Sequence, residues 1–336
     1  MTVDYITPAY INPSFSNMKN LIIGGDFGTN PWQRGNSFGS AGSGQYTADR
    51  WVYYKSGSAV HTVQKTSDAP PVSQSNYFSD SCLELVCTTS SSSLGSNDYY
   101  VIRQNIEGYN FRSIAQQPFI VSFWVKAYKA GTYSILVGNS NGDRCYAADY
   151  TISTSATWQK ISIPIPASPS SGSWNYTNST GLYIQFVLAC GTGNQKSPGS
   201  WQTSVFSGST DQINGVDSTS DYFRLALVQI ELGTISSAFD ARSIQTELTL
   251  CLRYYQTFSF FIQGMFAHGN IFGTTRIVPM RTTPSSTITA YNLGPNAGGA
   301  AIYPADYMTV GYQVQESGDQ FQWGAGGASG YLSAEL

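Results

Sequence analysis

The chain has 336 residues, and its 17 lysine and arginine residues stand against 20 aspartate and glutamate residues, for a formal net charge of -3. This balance offers no basic surface for nucleic acid, and no run of about 18 consecutive apolar residues offers a membrane span. Charged residues make up 11% of the chain and aromatic residues 14%, including 23 tyrosines. A surface poor in charge and rich in tyrosine and hydroxyl groups is typical of extracellular β-proteins, since aromatic residues pack well on pleated sheets.

The first 19 residues predict an extended arm. They contain no basic segment followed by an apolar run, so the sequence predicts no signal peptide. Pro8 and Pro13 interrupt a stretch whose apolar side chains follow neither a helix nor a strand period. The arm is therefore either a disordered tail or an anchor that docks on a partner protein. The residues predicted to form that anchor are Tyr5, Ile6, Tyr10, Ile11 and Phe15.

From residue 20 to about residue 242 the sequence predicts short β-strands separated by loops rich in Gly, Ser, Asn and Pro. Phe119, Val121 and Phe123 share one face at a period of two, as in a strand. Pro164 lies within another alternating run and indicates an edge strand, because proline cannot donate a ladder hydrogen bond. The run over residues 222–233 has two predicted apolar faces, one with Ala226, Val228, Ile230 and Leu232 and the other with Phe223, Leu225 and Leu227.

A short helix is predicted over residues 243–258. Leu248, Cys251, Leu252 and Tyr255 follow the i, i+3, i+4, i+7 spacing of a helix face, and Thr246 is the predicted N-cap. Strand-like runs return over residues 259–336 at intervals of about 8–12 residues. The predicted fold is therefore all-β: an antiparallel jelly-roll sandwich over residues 20–242, a short linking helix over 243–258, and a smaller C-terminal β-sandwich over 259–336.

The five cysteines are odd in number and irregular in spacing, so they match neither a disulfide framework nor a zinc site. Cys82 and Cys87 lie five residues apart, and on one strand their side chains would point to opposite faces. We expect buried free thiols, which suits a protein that folds in a reducing cytosol.

Five sequence segments follow one another in a characteristic order along the chain. They are NLIIGGDFGTNPWQRGNSF (20–38), YTADRW (46–51), VSFWVKA (121–127), AGTYSILV (130–137) and VQIELGTISSAFDARSIQTELTLCLRYYQ (228–256). Together they resemble a module of bacteriophage tail-fibre and virion-spike proteins, and the rest of the chain resembles the small β domain that follows it. The resemblance implies a jelly roll like that of carbohydrate-binding modules. Two departures leave that fold intact: Gly24-Gly25 replaces the usual Asn-Gly, and Leu252 stands where a polar residue is common.

The first of these segments is interpreted as architecture rather than chemistry. Residues 20–23 form a predicted first strand, and Gly24 and Gly25 permit a positive φ in the tight turn after it. Trp32 is expected to cover the edge of the sandwich, and Arg34 is expected to pair with a carboxylate. The further members expected in that network are Asp49 and Arg50.

No arrangement in the sequence singles out a catalytic site. Two G-x-S-x-G matches, at residues 35–39 and 138–142, lack the strand-to-helix context of a nucleophile elbow and are interpreted as turns. The two histidines, His61 and His268, fall in different predicted domains, which disfavours a Ser-His-Asp triad. No spacing indicates the pair of carboxylates that glycoside hydrolysis needs. We therefore predict no catalytic residues and no enzyme activity.

The resemblance implies a structural calcium ion as the one cofactor to consider. Sandwiches of this kind often bind calcium through oxygen ligands near the first and last strands. The carboxylates at those places are Asp26 and Glu231. The alternative is that both are ordinary surface carboxylates.

Aromatic residues in polar loops are the predicted binding signal. Ring faces stack on the apolar C–H faces of sugars, while amide and hydroxyl side chains bond the sugar hydroxyls. The loops at 88–98, 166–181 and 191–220 are long enough to be functional or to pack against a neighbour. The alternative for each ring is packing on the core or between subunits. The glycan-binding candidates are Trp174, Tyr176, Trp201, Trp323 and Tyr331.

The sequence and the resemblance together predict a phage fibre or spike subunit that binds a bacterial surface polysaccharide. The expected partners are other copies of the chain, as a homotrimer, and other virion proteins through residues 1–19. Neither nucleic acid nor a membrane is expected as a partner. The expected location is the virion, after synthesis in the host bacterial cytoplasm. The alternatives are a purely structural head, baseplate or tail decoration protein without glycan binding, and a capsule depolymerase.

Overall fold

The computed structural model describes residues 19–266, 271–293, 297–316 and 322–336. The described part is almost entirely β-structure in predominantly antiparallel sheets, so the predicted fold class is confirmed. The residues of the predicted anchor and His268 lie outside the described residues; the anchor residues are Tyr5, Ile6, Tyr10, Ile11 and Phe15.

Residues 37–232 contain the strands of the jelly-roll sandwich. In chain order these are β1 (Ser37–Phe38), β2 (Gln45–Tyr46), β3 (Trp51–Ser56), β4 (Val60–Thr66), β5 (Cys82–Thr89), β6 (Tyr99–Glu107), β7 (Phe119–Ala127), β8 (Gly131–Gly138), β9 (Cys145–Ile152), β10 (Gln159–Ile165), β11 (Thr180–Cys190), β12 (Gln195–Lys196), β13 (Trp201–Gln202), β14 (Gly208–Ser209) and β15 (Tyr222–Leu232). Short helical segments lie between them: α1 (Val72–Ser75), α2 (Gly108–Phe111) and a 3-10 turn (Thr192–Asn194).

Two sheets of this sandwich enclose the main core. One has the strand order β1-β4-β5-β15-β7-β10, and the other has the order β13-β9-β8-β11-β6-β3-β2. Large rings fill the space between them: the Phe186 ring centre lies 4.9 Å from that of Phe123 and 6.1 Å from that of Trp51. Strand β10 lies at a sheet edge, so the edge position indicated by Pro164 is confirmed.

Strand β15 contains a β-bulge. Its register with β7 shifts between Ala226 and Gln229, and Leu227 has a φ of 50°. A bulge adds one residue to a strand, so the side chains beyond it change face. Leu225 before the bulge and Val228 after it both lie in the main core, whereas Ala226 and Leu227 pack in a cluster on the other face. The predicted pair of alternating faces is therefore wrong for this strand.

Residues 20–23 close one end of the sandwich without forming the predicted strand. The Leu21 N–H donates to the Ile230 carbonyl at 2.9 Å, and the Ile23 N–H donates to the Gln104 Oε1 at 2.9 Å. These bonds reach β15 in one sheet and β6 in the other. The strand prediction is wrong here because a segment that divides its bonds between two sheets cannot form a regular ladder.

A smaller sandwich follows over residues 255–333. Its strands are β16 (Tyr255–Phe266), β17 (Ile271–Arg276), β18 (Ser285–Leu293), β19 (Ala297–Pro304), β20 (Thr309–Glu316) and β21 (Gln322–Ser333). They form two three-stranded sheets with the orders β16-β21-β18 and β17-β20-β19. The rings of Phe260 and Tyr312, one from each sheet, stack at 4.8 Å. The exact domain limits given above stay predictions.

Helix α3 (Ile244–Leu252) joins the two sandwiches and is shorter than the predicted range 243–258. Ser243 is its N-cap, and the Ser243 hydroxyl accepts a hydrogen bond from the Thr246 N–H at 3.2 Å. The prediction of Thr246 as the cap is therefore wrong, because a serine three residues earlier already satisfies its N–H. The buried helix side chains are those of Glu247 and Cys251.

All five cysteines are buried and free, so the prediction of free thiols is confirmed. Burial raises the pKa of Cys87 and of Cys190 to about 11. At neutral pH these two thiols therefore stay protonated, and a thiol in that state is a poor nucleophile and a poor metal ligand.

Gly25 is required for a close backbone approach rather than for a positive φ. Of Gly24 and Gly25, Gly24 has the positive φ, at 66°. A Cβ added at Gly25 would lie 2.2 Å from the Val228 carbonyl oxygen. We expect Gly25→Ala to lower the free energy of unfolding by about 1–3 kcal/mol, measured by urea denaturation. Gly39→Ala is the control, because a Cβ there meets nothing within 4 Å; equal midpoints for the two variants would contradict the close approach.

Candidate functional site

An ion-pair network joins the jelly roll to residues 334–336. The Arg34 guanidinium bonds the Asp49 Oδ1 at 3.1 Å and the Glu335 Oε1 at 2.9 Å. Arg50 pairs with the other carboxylate oxygen of Glu335. The predicted pairing of Arg34 with a carboxylate is confirmed, with Asp49 and Arg50 in the same network. Glu335 is a member that the sequence did not indicate, since it lies 301 residues from Arg34.

Each arginine of this network also stacks on a tyrosine that follows α3. The Arg34 Cζ lies 3.6 Å from the centre of the Tyr255 ring, and the Arg50 Cζ lies 3.5 Å from that of Tyr254. Arg50 also donates to the Asn105 carbonyl at 2.7 Å. A guanidinium group is attracted to the face of an aromatic ring. Stacking and ion pairing together hold the edge of the jelly roll against the second sandwich.

Burial controls the protonation of the network. Burial lowers the pKa of Arg50, but the Glu335 carboxylate and the neighbouring groups together raise it by more, so the net shift is upward. Burial raises the pKa of Asp49 to about 6. Burial, together with the Glu335 carboxylate, raises the pKa of Tyr46 to about 12. Above pH 6 the network therefore holds two cations and two carboxylates, and its formal charges balance.

An open cleft of 580 Å³ lies beside the network, between the edge of the jelly roll and the second sandwich. One wall comes from residues 33–46, and the other comes from β16, β18 and β21. Its volume falls in the range of roughly 300–1,000 Å³ found for small-molecule sites. Aromatic rings, amides and hydroxyls predominate among its lining residues, which are Gln33, Arg34, Phe38, Gln45, Tyr46, Tyr255, Thr257, Thr289, Gly330, Tyr331 and Ser333.

Of the predicted glycan-binding residues whose side chains the structure describes, Tyr331 is the one that lines this cleft. Its ring centre is 5.2 Å from that of Tyr255, with the rings tilted by 31°. On the opposite wall, the Tyr46 hydroxyl donates to the backbone oxygen of Leu336 at 2.8 Å. Sequence reasoning missed Tyr46 and Tyr255 as site residues, although both lie in the segments that carry the resemblance.

Trp174, Tyr176 and Trp201 come together in a separate aromatic cluster. The Phe111 ring stacks on Trp174 at 5.1 Å and on Tyr176 at 6.0 Å, and Trp174 meets Trp201 edge-on at 5.8 Å. All three predicted residues are half-buried against the main core. This arrangement favours the alternative that these rings pack on the core, because Phe111 provides an apolar surface for Trp174 and Tyr176, and Trp201 packs against Trp174 and Tyr146. The side chain of Trp323 lies outside the described residues.

Asp26 and Glu231, the predicted calcium ligands, each bond to neighbouring side chains or backbone groups in the described structure. The Glu231 Oε1 accepts from the Ser237 N–H at 2.8 Å, and its Oε2 accepts from the Ser237 hydroxyl at 2.7 Å. The Asp26 Oδ2 accepts from the Tyr77 hydroxyl at 3.0 Å, and its Oδ1 is buried with no partner among the described residues. In that same part of the chain no group of three or more His, Cys, Asp or Glu side chains could hold a metal ion. Calcium stays a prediction without a ligand set.

Neither G-x-S-x-G match forms a nucleophile elbow. Residues 138–142 form the turn between β8 and β9, where the Gly142 N–H donates to the Asn139 carbonyl at 3.1 Å. Residues 35–39 include β1, which pairs with β4. His61 is buried and bonds the Tyr53 hydroxyl at 2.7 Å through its Nδ1. The interpretation as a turn is confirmed for residues 138–142, whereas it is wrong for residues 35–39, because Ser37 and Phe38 pair with β4.

Comparison with known proteins finds similarity to solved structures at low sequence identity. The enzymatically active domain of tailspike protein 4 of bacteriophage CBA120 is 13% identical, with a TM-score of 0.36 over 64% of this chain and 22% of that one. A family 11 carbohydrate-binding module from Clostridium thermocellum, in complex with a β-1,3-1,4-mixed-linked tetrasaccharide, is 13% identical, with a TM-score of 0.32 over 60% of this chain and 97% of that one. A family 61 module in complex with β-1,4-galactotriose is 11% identical, with a TM-score of 0.31 over 64% of this chain and 99% of that one.

These similarities assign no role to any residue of this chain. The chain matches 22% of the length of the tailspike domain. No protein-family profile matches the chain, and no curated protein sequence matches it. Within the part of the chain that the structure describes, none of the helices combines the length and the apolar character of a membrane span.

Proposed function

We propose that the protein is a non-enzymatic subunit of a bacteriophage fibre or spike and binds a bacterial surface polysaccharide during host attachment. The observation that carries this proposal is the 580 Å³ cleft, in which tyrosine and phenylalanine rings stand beside amide and hydroxyl side chains. Such rings stack on the C–H faces of a sugar, and the polar groups bond its hydroxyls. The order of sequence segments over residues 20–256, which resembles that of phage fibre and spike proteins, supports the virion setting.

The carboxylates beside the cleft favour binding over hydrolysis. Glycoside hydrolysis needs one carboxyl group that donates a proton and a second that attacks the sugar or activates water. Asp49 and Glu335 have side chains that are 1% and 8% exposed, and each is bound by Arg34. Neither is among the residues that line the cleft. This pairing supports a binding site rather than a depolymerase.

An open cleft suits weak binding that is strengthened by repetition. Linking several modest sites raises overall avidity by about 10²–10⁴ when the geometry allows simultaneous engagement. A homo-oligomer, in our proposal a trimer, would supply such repetition. Residues 1–19 would attach the chain to other virion proteins.

Adsorption to cells tests the proposed function. Fluorescently labelled protein should bind cells of a permissive bacterium, and soluble surface polysaccharide from that strain should block the binding. Cells of the same strain that lack the polysaccharide are the control. If the protein adsorbs to no permissive host, receptor binding is contradicted and a decoration role is favoured. Release of oligosaccharides from the purified polysaccharide would favour a depolymerase.

Tyr331 offers a sharper test of the cleft. We expect Tyr331→Ala to raise the Kd for the blocking polysaccharide by about tenfold, because loss of one stacking ring costs about 1.4 kcal/mol. Tyr331→Phe keeps the ring and should keep most of the affinity. Tyr303→Ala is the control, since Tyr303 is an exposed tyrosine of β19 that does not line the cleft. Isothermal titration measures the Kd, and equal values for Tyr331→Ala and Tyr303→Ala would contradict this site.

A further inference from the structure

The charge beside the cleft is already paired within the protein. Among the described residues that line the cleft, Arg34 is the one that carries a charge. Its two terminal nitrogens bond Asp49 at 3.1 Å and Glu335 at 2.9 Å, and its face lies 3.6 Å from the centre of the Tyr255 ring. Intramolecular partners therefore occupy both the edge and one face of the guanidinium group. A ligand in the cleft meets a cation whose charge is already balanced.

We infer that the cleft takes an uncharged polysaccharide, an inference that rests on the proposed function. A uronic or sialic acid unit would bring a carboxylate to Arg34, whose charge Asp49 and Glu335 already balance. Moving a charge from water into a site without a free counter-charge is unfavourable. The ion-pair network thus disfavours acidic sugars, whereas a neutral hexose meets no such penalty.

The polar groups of the two walls suit sugar hydroxyls. On the jelly-roll wall, the Gln45 Oε1 accepts from the Gly42 N–H at 2.9 Å, which fixes the amide and leaves its NH₂ group as a donor. On the opposite wall, the Thr289 hydroxyl donates to the Ser329 carbonyl at 3.2 Å, which leaves its oxygen as an acceptor. A sugar hydroxyl both donates and accepts, so it can bond either wall. A carboxylate only accepts and would leave the Thr289 oxygen facing another acceptor.

A panel of bacterial capsular and O-antigen polysaccharides, both neutral and acidic, tests the inference. The full chain should bind polysaccharides from the neutral set and bind acidic ones at least about tenfold more weakly. The Kd for a neutral polysaccharide should change less than about twofold between low and high salt, because exposed charge–charge attraction is screened by salt. Binding of the neutral set should weaken about tenfold in Tyr331→Ala, in line with the loss of one stacking ring.

The outcomes separate this inference from the proposed function. Selective binding of acidic polysaccharides that weakens in high salt and in Tyr331→Ala would overturn the inference and leave glycan binding in place. Binding to neutral polysaccharides that is unchanged in Tyr331→Ala would overturn it by placing the site elsewhere. Binding to no polysaccharide of either set would overturn the proposed function itself.

Thr289→Lys provides a gain-of-function test. Thr289 is exposed at the cleft wall, so a lysine there adds an unpaired cation without disturbing the core. We expect the Kd for acidic polysaccharides to fall by about tenfold, and this gain should disappear in high salt. Thr289→Gln, which adds a side chain without charge, should give no gain. If Thr289→Lys leaves acidic binding unchanged, the absence of a free counter-charge does not set the specificity and the inference fails.

Discussion

Glu335→Gln is expected to lower the free energy of unfolding by about 3 kcal/mol, because it leaves a buried arginine without its counter-charge. The side chains of Arg50 and Glu335 are 1% and 8% exposed, so water cannot replace the lost partner. Glutamine keeps the shape of the side chain, but its single oxygen can accept from only one of the two guanidinium groups, and its NH₂ group then faces the donors of the other. The loss therefore measures the missing charge and hydrogen bond rather than a change in volume.

A partly exposed ion pair at the surface supplies the matched control for Glu335→Gln. Lys129 and Asp217 are paired, but their side chains are 35% and 33% exposed. Exposed pairs contribute about 0–1 kcal/mol, so Asp217→Asn should shift the urea midpoint far less. Equal midpoints for the two variants would show that the Glu335 network does not hold the two sandwiches together.

The same substitution connects stability to the cleft. Arg34 belongs to the network and also lines the cleft, and its ring partner Tyr255 comes from the second sandwich. A ligand that binds the folded state raises its stability. A saturating neutral polysaccharide should therefore restore part of the stability that Glu335→Gln loses, if it contacts both walls.

The sequence predicted well those features that depend on neighbouring residues. Alternation at a period of two identified the strand around Phe119, and Pro164 indicated an edge strand. The contact between Arg34 and Asp49 spans 15 residues and joins two neighbouring segments that carry the resemblance. In these cases the residues concerned are close in sequence, so a local pattern was enough to predict their structure.

Features that depend on pairing between distant segments could not be predicted from the local sequence. The bulge at Leu227 arises because β15 pairs with β7 on one side, with a register shift that no alternation in the strand itself reveals. Strand β19 has little strand signal of its own, since its residues AGGAAIYP lack both alternation and β-branched residues apart from one isoleucine. Each of these elements follows from the partner strand rather than from its own sequence.

The candidate site shows the same division between local and distant information. Tyr331 was predicted from its place beside a glycine-rich run, but its partner ring Tyr255 lies in β16. Trp174 and Trp201 were predicted from their polar loops, yet Trp174 stacks on Phe111 and Trp201 packs against Tyr146, so both rings are part of the core surface. Exposure of a ring depends on what the fold places under its loop, and the loop composition does not contain that information.

The free energy of unfolding is expected to fall in acid because of His61. Burial, with the nearby Lys55, lowers the pKa of His61 from 6.5 to about 4. Between these values the unfolded chain binds a proton that the folded chain does not, so folding is favoured less as pH falls. The part of the folding stability that depends on a neutral His61 is complete above pH 6.5 and is lost as the pH falls through 4. At about 1.4 kcal/mol per pKa unit, the full effect is roughly 3 kcal/mol.

The comparison of wild type with His61→Phe isolates this effect from other titrating groups. The variant loses the 2.7 Å bond between the Tyr53 hydroxyl and the imidazole, a cost that does not vary over this pH range. The stability difference between the two proteins should therefore be constant above pH 6.5 and shift by roughly 3 kcal/mol in favour of the variant by pH 4. Asp49→Asn should give a difference of the opposite sign, because burial raises the pKa of Asp49 from 3.8 to about 6 and the folded carboxyl gains protons first. Urea unfolding at a series of pH values measures both differences. A flat difference for His61→Phe would mean that water reaches the imidazole inside the jelly roll and that the pKa of His61 stays near 6.5.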